Sequence, residues 1–357
     1  MQGRISKLRQ FFDTDEIDAF YIMNPENRYY LSGFTGSTGA LLLTREQSYL
    51  LTDFRYLSQT AGESPSYMVV EVMAETYGAV LLRTLQENHI SRLGVEGDHL
   101  TYNQYLELCR VCKGIEIKPF SNRVEDIRIR KDRSEIELIE KAVSIADQAF
   151  AQILPLIKPG VTEQELALEL EYNMRRLGAS GPAFKFIVAS GVRSALPHGV
   201  ASSKTIATGD LVTFDFGAVY QGYHSDITRT VVVDSLNQRQ QEIYQIVLAA
   251  QMNGVAAVKA GVSAAEVDYA ARSVIEEKGF GKYFGHSTGH GLGLNIHENP
   301  RLAAQDKTIL APGMVITIEP GIYIEDWGGV RIEDTVLVED SGCRVLTGTP
   351  KKELLVL

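Results

Sequence analysis

FGHSTGHGLGLNIHENP at 284–300, MVITIEPGIYI at 314–324 and GGVRIEDTVLV at 328–338 decide how this chain is read. The first phrase holds His286, His290 and His297, three of the chain's seven histidines. The second and third each set a carboxylate, Glu319 and Glu333, into strand-like sequence. Upstream, VTFDFGAVYQGYHSDITRTVVV at 212–233 places Asp215 and Asp226 in similar surroundings.

Acids do not usually sit in apolar strand sequence without a partner. If these strands are buried, four carboxylates converge, and like charges that close take up protons unless cations intervene. Two divalent ions balance four carboxylates by charge, and bridging carboxylates hold such ions roughly 3.5–4 Å apart. His290 is the expected nitrogen ligand, because the glycines of G-H-G-L-G let the backbone approach a site closely. Oxygen donors with one imidazole and no thiolate suit Mn, Co, Fe or Zn. A single histidine in a glycine-rich loop is ordinarily a hydrogen-bonded loop residue, and a single acid near a hairpin a turn residue. The joint pattern is what points to metal. H-S-T-G-H itself is not the H-E-x-x-H of zinc proteases, since the Glu is missing.

An internal repeat frames these acids. KPGVTEQEL at 158–166 recurs as KAGVSAAEV at 259–267, each opening a helix through a Thr or Ser cap with Glu at the third position. VTFDFG at 212–217 likewise resembles ITIEPG at 316–321. Asp226 and Glu333 are each followed by Thr and a β-branched run. Two half-domains of helices plus a hairpin are implied. Packed about a pseudo-twofold axis, they would bring two acids each to a shared centre.

Around this centre the chain has an ordinary composition. Its 357 residues suggest two domains. Apolar residues make up 45%, as in soluble globular proteins. The net charge of −10 comes without any dense basic run, so no nucleic-acid partner is expected. No signal core and no span of about 18 apolar residues is seen, so neither secretion nor a membrane is expected. Cys109, Cys112 and Cys343 read as reduced cytosolic thiols, with the C-x-x-C pair as buried structural cysteines on a helix.

Residues 1–120 alternate short strands and helices. Strands are expected at Ala19–Met23, Ala40–Leu43, Tyr49–Leu51, Leu93–Val95 and Ile115–Ile117, and helices near Ser6–Phe12, Phe54–Thr60 and Tyr77–Asn88. Gly33, Gly36 and Gly39 read as a structural loop, not a dinucleotide motif. Residues 121–133, SNRVEDIRIRKDR, read as a linker. A helix then opens at Ser134, paired with Glu137 as its capping box.

With those motifs in hand the chain resembles the pita-bread metallopeptidases, in the branch of Xaa-Pro dipeptidase (prolidase) and Xaa-Pro aminopeptidase (aminopeptidase P). The resemblance rests on D-F-G-A with S-D-I-T-R-T, eleven residues from acid to acid, and on G-H-G-L-G-L-x-I-H-E, I-T-I-E-P-G-I-Y and G-G-V-R-I-E-D-T, in the family's order. It implies an α/β (α+β) chain: a creatinase-like domain at 1–120 and a pita-bread catalytic domain at 134–357. It also implies metal ligands Asp215, Asp226, His290, Glu319 and Glu333, with Asp226 and Glu333 bridging two metals. His198, in L-P-H-G, matches a substrate-side histidine. His286 and His297 match the two that flank the scissile group, and Arg331 an arginine of the proline branch.

The function so implied is hydrolysis of the Xaa-Pro bond of dipeptides or peptide N-termini, by a cytoplasmic homodimer. Glu319 would carry the proton from water to the leaving nitrogen, and His297 or His286 would stabilise the oxyanion. Arg331 would orient Tyr223 or a nearby acid, or serve as a salt-bridge partner. The rivals are a methionine-aminopeptidase-like enzyme, which generally lacks the N-terminal domain, and a non-catalytic pita-bread binding module. Five filled ligand positions argue against the module and against a creatinase.

Overall fold

The structure, a computed structural model, describes residues 1–73 and 76–357. The chain divides into two compact units, Met1–Arg128 and Ile129–Leu357.

In the first unit six strands make one mixed sheet. They are β1 (Ala19–Ile22), β2 (Ala40–Thr44), β3 (Ser48–Thr52), β4 (Met68–Glu71), β5 (Arg92–Glu96) and β6 (Glu116–Phe120), in the order β4-β3-β2-β1-β5-β6. β1 is antiparallel to β2 and parallel to β5. The helices are α1 (Gln2–Arg9), α2 (Phe11–Thr14), α3 (Pro25–Ser32), α4 (Leu57–Glu63), α5 (Tyr77–Glu87), α6 (Tyr102–Val111) and α7 (Glu125–Arg128). Val80, Leu81 and Leu85 of α5 pack with Leu108 and Cys112 against Leu42, Leu51, Leu93 and Val95 of the sheet.

Several expectations need correction here. Phe54–Tyr56 is a 3₁₀ turn, and the α-helix starts at Leu57. The strand expected at 115–117 begins a residue later and runs to Phe120. β4 and α3 add to the expected elements; Asn24 caps α3 and Pro25 supplies its first residue. Cys109 is exposed, not buried. Leu108 and Cys112, four residues apart, take the buried side of the helix and turn Cys109 to solvent. The glycine loop is structural as read: buried Arg28 donates to the carbonyls of Gly36 and Gly39, both at 2.6 Å. The segment read as a linker contains α7, with Val124, Ile127 and Arg128 buried.

The second unit opens with α8 (Arg133–Ile153). Its capping box belongs to Asp132 and Glu135, not to Ser134 and Glu137. Asp132 Oδ1 accepts the Glu135 N–H at 3.0 Å, and the Ser134 hydroxyl donates to that same oxygen at 2.6 Å. Asp and Ser are comparable caps, and the helix starts at Arg133, which gives the position to Asp132.

Then follow α9 (Glu163–Arg176), β7 (Gly181–Pro182), β8 (Ile187–Ser190), β9 (Leu211–Phe216), β10 (Ala218–Tyr220), β11 (Tyr223–His224) and β12 (Ile227–Val232). The second half holds α10 (Gln238–Ala257), α11 (Ala264–Glu277), β13 (Gly289–Gly291), β14 (Glu298–Leu302), β15 (Val315–Ile318), β16 (Gly321–Ile324), β17 (Gly328–Arg331), β18 (Asp334–Glu339) and β19 (Gly342–Val345). β20 (Leu355–Val356) returns to the first half and pairs with β12. Both repeat motifs cap their helices as expected: Thr162 with Glu165 opens α9, and Ser263 with Glu266 opens α11.

Strand alternation decides what faces the site. Phe214 and Phe216 of β9 pack on Phe150 of α8, with ring centroids 5.4 and 5.1 Å away. Each such burial stabilises by about 2 kcal/mol. Asp215, between them, points to the opposite face. In β15, Ile316 and Ile318 join a core with Val267 of α11 and Val336 of β18. Thr317 and the following Glu319 face the other way.

Candidate metal centre

The four acids take matching places in two hairpins. β9 pairs antiparallel with β12, setting Asp215 opposite Thr228, and Asp226 immediately precedes β12. β15 pairs antiparallel with β18; Glu319 follows the first strand and Glu333 precedes the second. The hairpins touch along β12. The Glu333 N–H donates to the Thr228 carbonyl at 3.1 Å, and the Thr335 hydroxyl donates to the Asp226 carbonyl at 2.8 Å.

Asp226 and Glu333 are almost wholly buried, 4% and 1% exposed. Asp226 Oδ1 and Glu333 Oε1 have no hydrogen-bond partner. His290 Nε2 stands 3.5 Å from Asp226 Oδ2 and 3.4 Å from Glu319 Oε1. Ligand atoms of Asp226, His290 and Glu333 lie within 4.8 Å of one another. Burial and mutual repulsion raise the carboxyl pKa of Asp226 and Glu333 well above the ordinary range. Glu319 is pushed up to about 8, chiefly by burial. Orphaned acceptors on crowded, buried carboxylates are what a divalent cation would satisfy, so this donor set fits metal.

His290 is prepared for the same task. Burial lowers its pKa to about 4, so the ring is neutral at neutral pH. Nδ1 lies 3.0 Å from the Gly291 carbonyl. A carbonyl can only accept, so Nδ1 carries the proton and Nε2 presents its lone pair to the acids. The flanking glycines are required by close approach. A Cβ on Gly289 would lie 1.9 Å from the Thr317 carbonyl oxygen, and one on Gly291 2.2 Å from that of Asn299.

Arg331 is buried and donates four ways: to Asp215 Oδ2 at 2.6 Å, Tyr323 Oη at 2.7 Å, Thr228 Oγ1 at 3.0 Å and the Pro197 carbonyl at 3.2 Å. The acid expected beside it is therefore Asp215. The tyrosine is Tyr323, not Tyr223, whose hydroxyl binds Glu135 Oε1 at 3.0 Å. Tyr323 stands in I-T-I-E-P-G-I-Y, where its residue type reads as strand core. Its hydroxyl also lies 2.9 Å from His286 Nε2, and His286 Nδ1 is 2.8 Å from the Ser287 carbonyl. Proton direction runs from Arg331 through Tyr323 to His286, so both nitrogens of His286 are engaged. Burial lowers its pKa to about 4.

His297 and His198 differ from His286 in being exposed. His297 stacks edge-on against His290, ring centroids 4.4 Å apart. His198 follows Pro197, the residue that Arg331 holds by its carbonyl. The structure thus brings together all nine site residues singled out from the sequence, with Tyr323 and Thr228 added to them.

The chain is similar to known proteins over its whole length. The metallopeptidase family M24 model matches residues 137–340, and the creatinase/prolidase N-terminal domain model matches residues 4–130. The chain belongs to metallopeptidase family M24, with a creatinase-like N-terminal domain ahead of the catalytic domain. That membership implies divalent metal ions and a peptide substrate. The chain is 45% identical over 357 residues to a Xaa-Pro dipeptidase of Pyrococcus furiosus, covering 99% of this chain and 100% of that protein. A solved Xaa-Pro dipeptidase from Bacillus anthracis matches with a TM-score of 0.97 at 47% identity, over 100% of this chain and 99% of that one. An X-Pro aminopeptidase from Thermotoga maritima matches at 0.91 and 40%, over 96% and 98%. Among the described residues no helix is long and apolar enough to cross a membrane.

Proposed function

We propose that this chain is a dinuclear metallopeptidase that hydrolyses the Xaa-Pro peptide bond, with Xaa-Pro dipeptides as its substrates. The observation that carries the reading is the pair of orphaned oxygens, Asp226 Oδ1 and Glu333 Oε1, buried beside the free nitrogen of His290. The names of the dipeptidases at 45% and 47% identity support the substrate.

In this reading Asp215, Asp226, His290, Glu319 and Glu333 would together hold two cations of Mn, Co, Fe or Zn. When bound, cations there would supply Lewis acidity toward a water and the scissile carbonyl. Glu319, held by the Thr317 hydroxyl at 3.3 Å, accepts the proton of the attacking water and passes it to the leaving nitrogen. His297 donates to the developing oxyanion. His286 has no free nitrogen for that task and instead fixes Tyr323. His198 steadies the substrate. Arg331 aims Asp215. A proline nitrogen carries no N–H, so a pocket that requires that donor fails, and a dedicated enzyme is needed. The enzyme works in the cytoplasm as a homodimer, which sedimentation would check.

The test is turnover of Gly-Pro, Gly-Pro-Xaa and a proline-free dipeptide by metal-stripped and reloaded protein. Stripped protein should be inactive, reloading should restore Gly-Pro hydrolysis, and the tripeptide should be the poorer substrate. Unchanged hydrolysis by fully stripped protein would overturn the reading.

A further inference from the structure

Glu163 is the first residue of α9 and is fully buried. Its carboxylate accepts the Ser190 N–H and O–H, both at 2.8 Å, and Arg193 Nε at 3.1 Å. It also accepts the Ser202 N–H at 3.0 Å and O–H at 2.6 Å. A carboxylate offers about four lone-pair sites, so these donors saturate it. Ser190 and Ser202 are the two ends of the segment that carries Pro197 and His198. One buried acid therefore closes that loop at both ends.

The middle of the loop is seated on β17. Ser194 Oγ accepts the Gly329 N–H at 2.8 Å. A Cβ on Gly329 would stand 2.3 Å from the Ser194 carbonyl oxygen, so only glycine admits the loop there. The G-G of G-G-V-R-I-E thereby has a physical reason.

The second half repeats the device. Asp268, 1% exposed on α11, accepts the Thr288 hydroxyl at 2.6 Å and Arg272 Nη2 at 2.8 Å. Arg272 in turn donates to the carbonyls of Phe284 at 3.0 Å and His286 at 2.7 Å. Glu163 follows its helix cap by one residue and Asp268 follows its cap by five. Positions four apart share one helix face, so the two acids look the same way from equivalent helices.

We infer that Glu163 and Asp268 are positioning residues: each seats one histidine-bearing loop, that of His198 or that of His286, on a buried carboxylate of the helix its repeat motif opens. The inference rests on the proposed substrate-side role of His198. Peptide turnover depends on these seats, and metal binding does not.

The test uses metal-loaded protein, Gly-Pro kinetics and metal analysis on E163Q, H198A and the double variant. E163Q is expected to lower kcat/KM about tenfold, the scale of a small misplacement of a catalytic group, and to keep its metal. The double variant should be no slower than H198A, because both remove the same function. If E163Q does not fold, S202A, which removes one donor of the set, should show a smaller loss that again vanishes in the H198A background. D268N should likewise slow turnover with metal retained. Additive losses, lost metal or unchanged kcat/KM in folded E163Q or S202A would overturn the inference. An H198A variant with full activity would sink the His198 assignment. A loss in E163Q that persisted beside it would show that Glu163 acts by another route, which also overturns the seat.

Discussion

Thr228 and Glu333 are bonded in both directions across the two halves of the catalytic unit. The backbone N–H of Glu333 donates to the Thr228 carbonyl at 3.1 Å, and the Thr228 hydroxyl donates to Glu333 Oε2 at 2.8 Å. Arg331 Nε donates to that same hydroxyl at 3.0 Å, so the threonine is held as a donor toward the acid. Thr228→Val keeps the shape and removes the hydroxyl. It should weaken metal binding by about 10–100-fold, as loss of a ligand's supporting bond does. Metal titration of stripped protein measures this. Thr335→Val, which loses a bond only to a backbone carbonyl, should weaken binding less.

His290→Ala removes the proposed nitrogen donor. Metal content and Gly-Pro turnover should fall together, turnover by more than about 100-fold. Normal stoichiometry with normal turnover would end the assignment. The measurement is metal analysis on the same preparation used for kinetics.

His297→Ala should separate the two properties. Loss of one oxyanion donor costs about 10²–10³ in kcat, while metal stays near two per chain. Loss of metal in this variant would move His297 from the oxyanion to the ligand set.

Arg331→Lys keeps the charge but not the planar fork. A single ammonium cannot reach Asp215, Tyr323, Thr228 and the Pro197 carbonyl together. We expect kcat/KM to fall about 100-fold, with weaker metal binding through Asp215. Wild-type kinetics in this variant would show that one of these contacts suffices.

The stripped enzyme should respond to pH in an unusual direction. Burial holds the Glu319 carboxyl at about 8, above its ordinary value of 4.5, and raises Asp226 and Glu333 too. A raised folded-state pKa contributes stability that is complete below the unfolded value and is lost as pH rises through the folded one. Between about pH 4.5 and 8 the stripped protein should therefore lose stability relative to the loaded one. Denaturant titrations at several pH values, with chelator or with Mn, would show the gap widening with pH. A constant gap would refute the sign.

Much of this centre was legible from sequence because its signals are local. Acids in apolar strand sequence, glycines beside His290 and the doubled Lys-x-Gly-Val-Thr/Ser motif can each be read within a few residues. Tyr323 was missed for the opposite reason. An aromatic residue in G-I-Y-I looks like strand core, and only the fold brings Arg331 and His286 to its hydroxyl. Tyr223 lies near Asp226 in sequence, but its hydroxyl is turned to Glu135. At the start of α8, Asp132 with Glu135 and Ser134 with Glu137 both satisfy the cap pattern two residues apart, and nothing local separates them. Cys109 is exposed because Leu108 and Cys112 take the buried side of its helix.

On the proposed ligand set, the glycine-flanked imidazole and the two carboxylates of the second half share their ions with Asp215 and Asp226 of the first. A half-molecule would then hold neither ion with its full set of donors. An ion that binds only the folded form shifts folding by mass action, by about 2.7 kcal/mol at a hundred times its dissociation constant. Scarcity of metal would then do more than idle the enzyme. The unloaded chain would open more often and meet proteases more often, and its abundance in the cell would follow the supply of the ion.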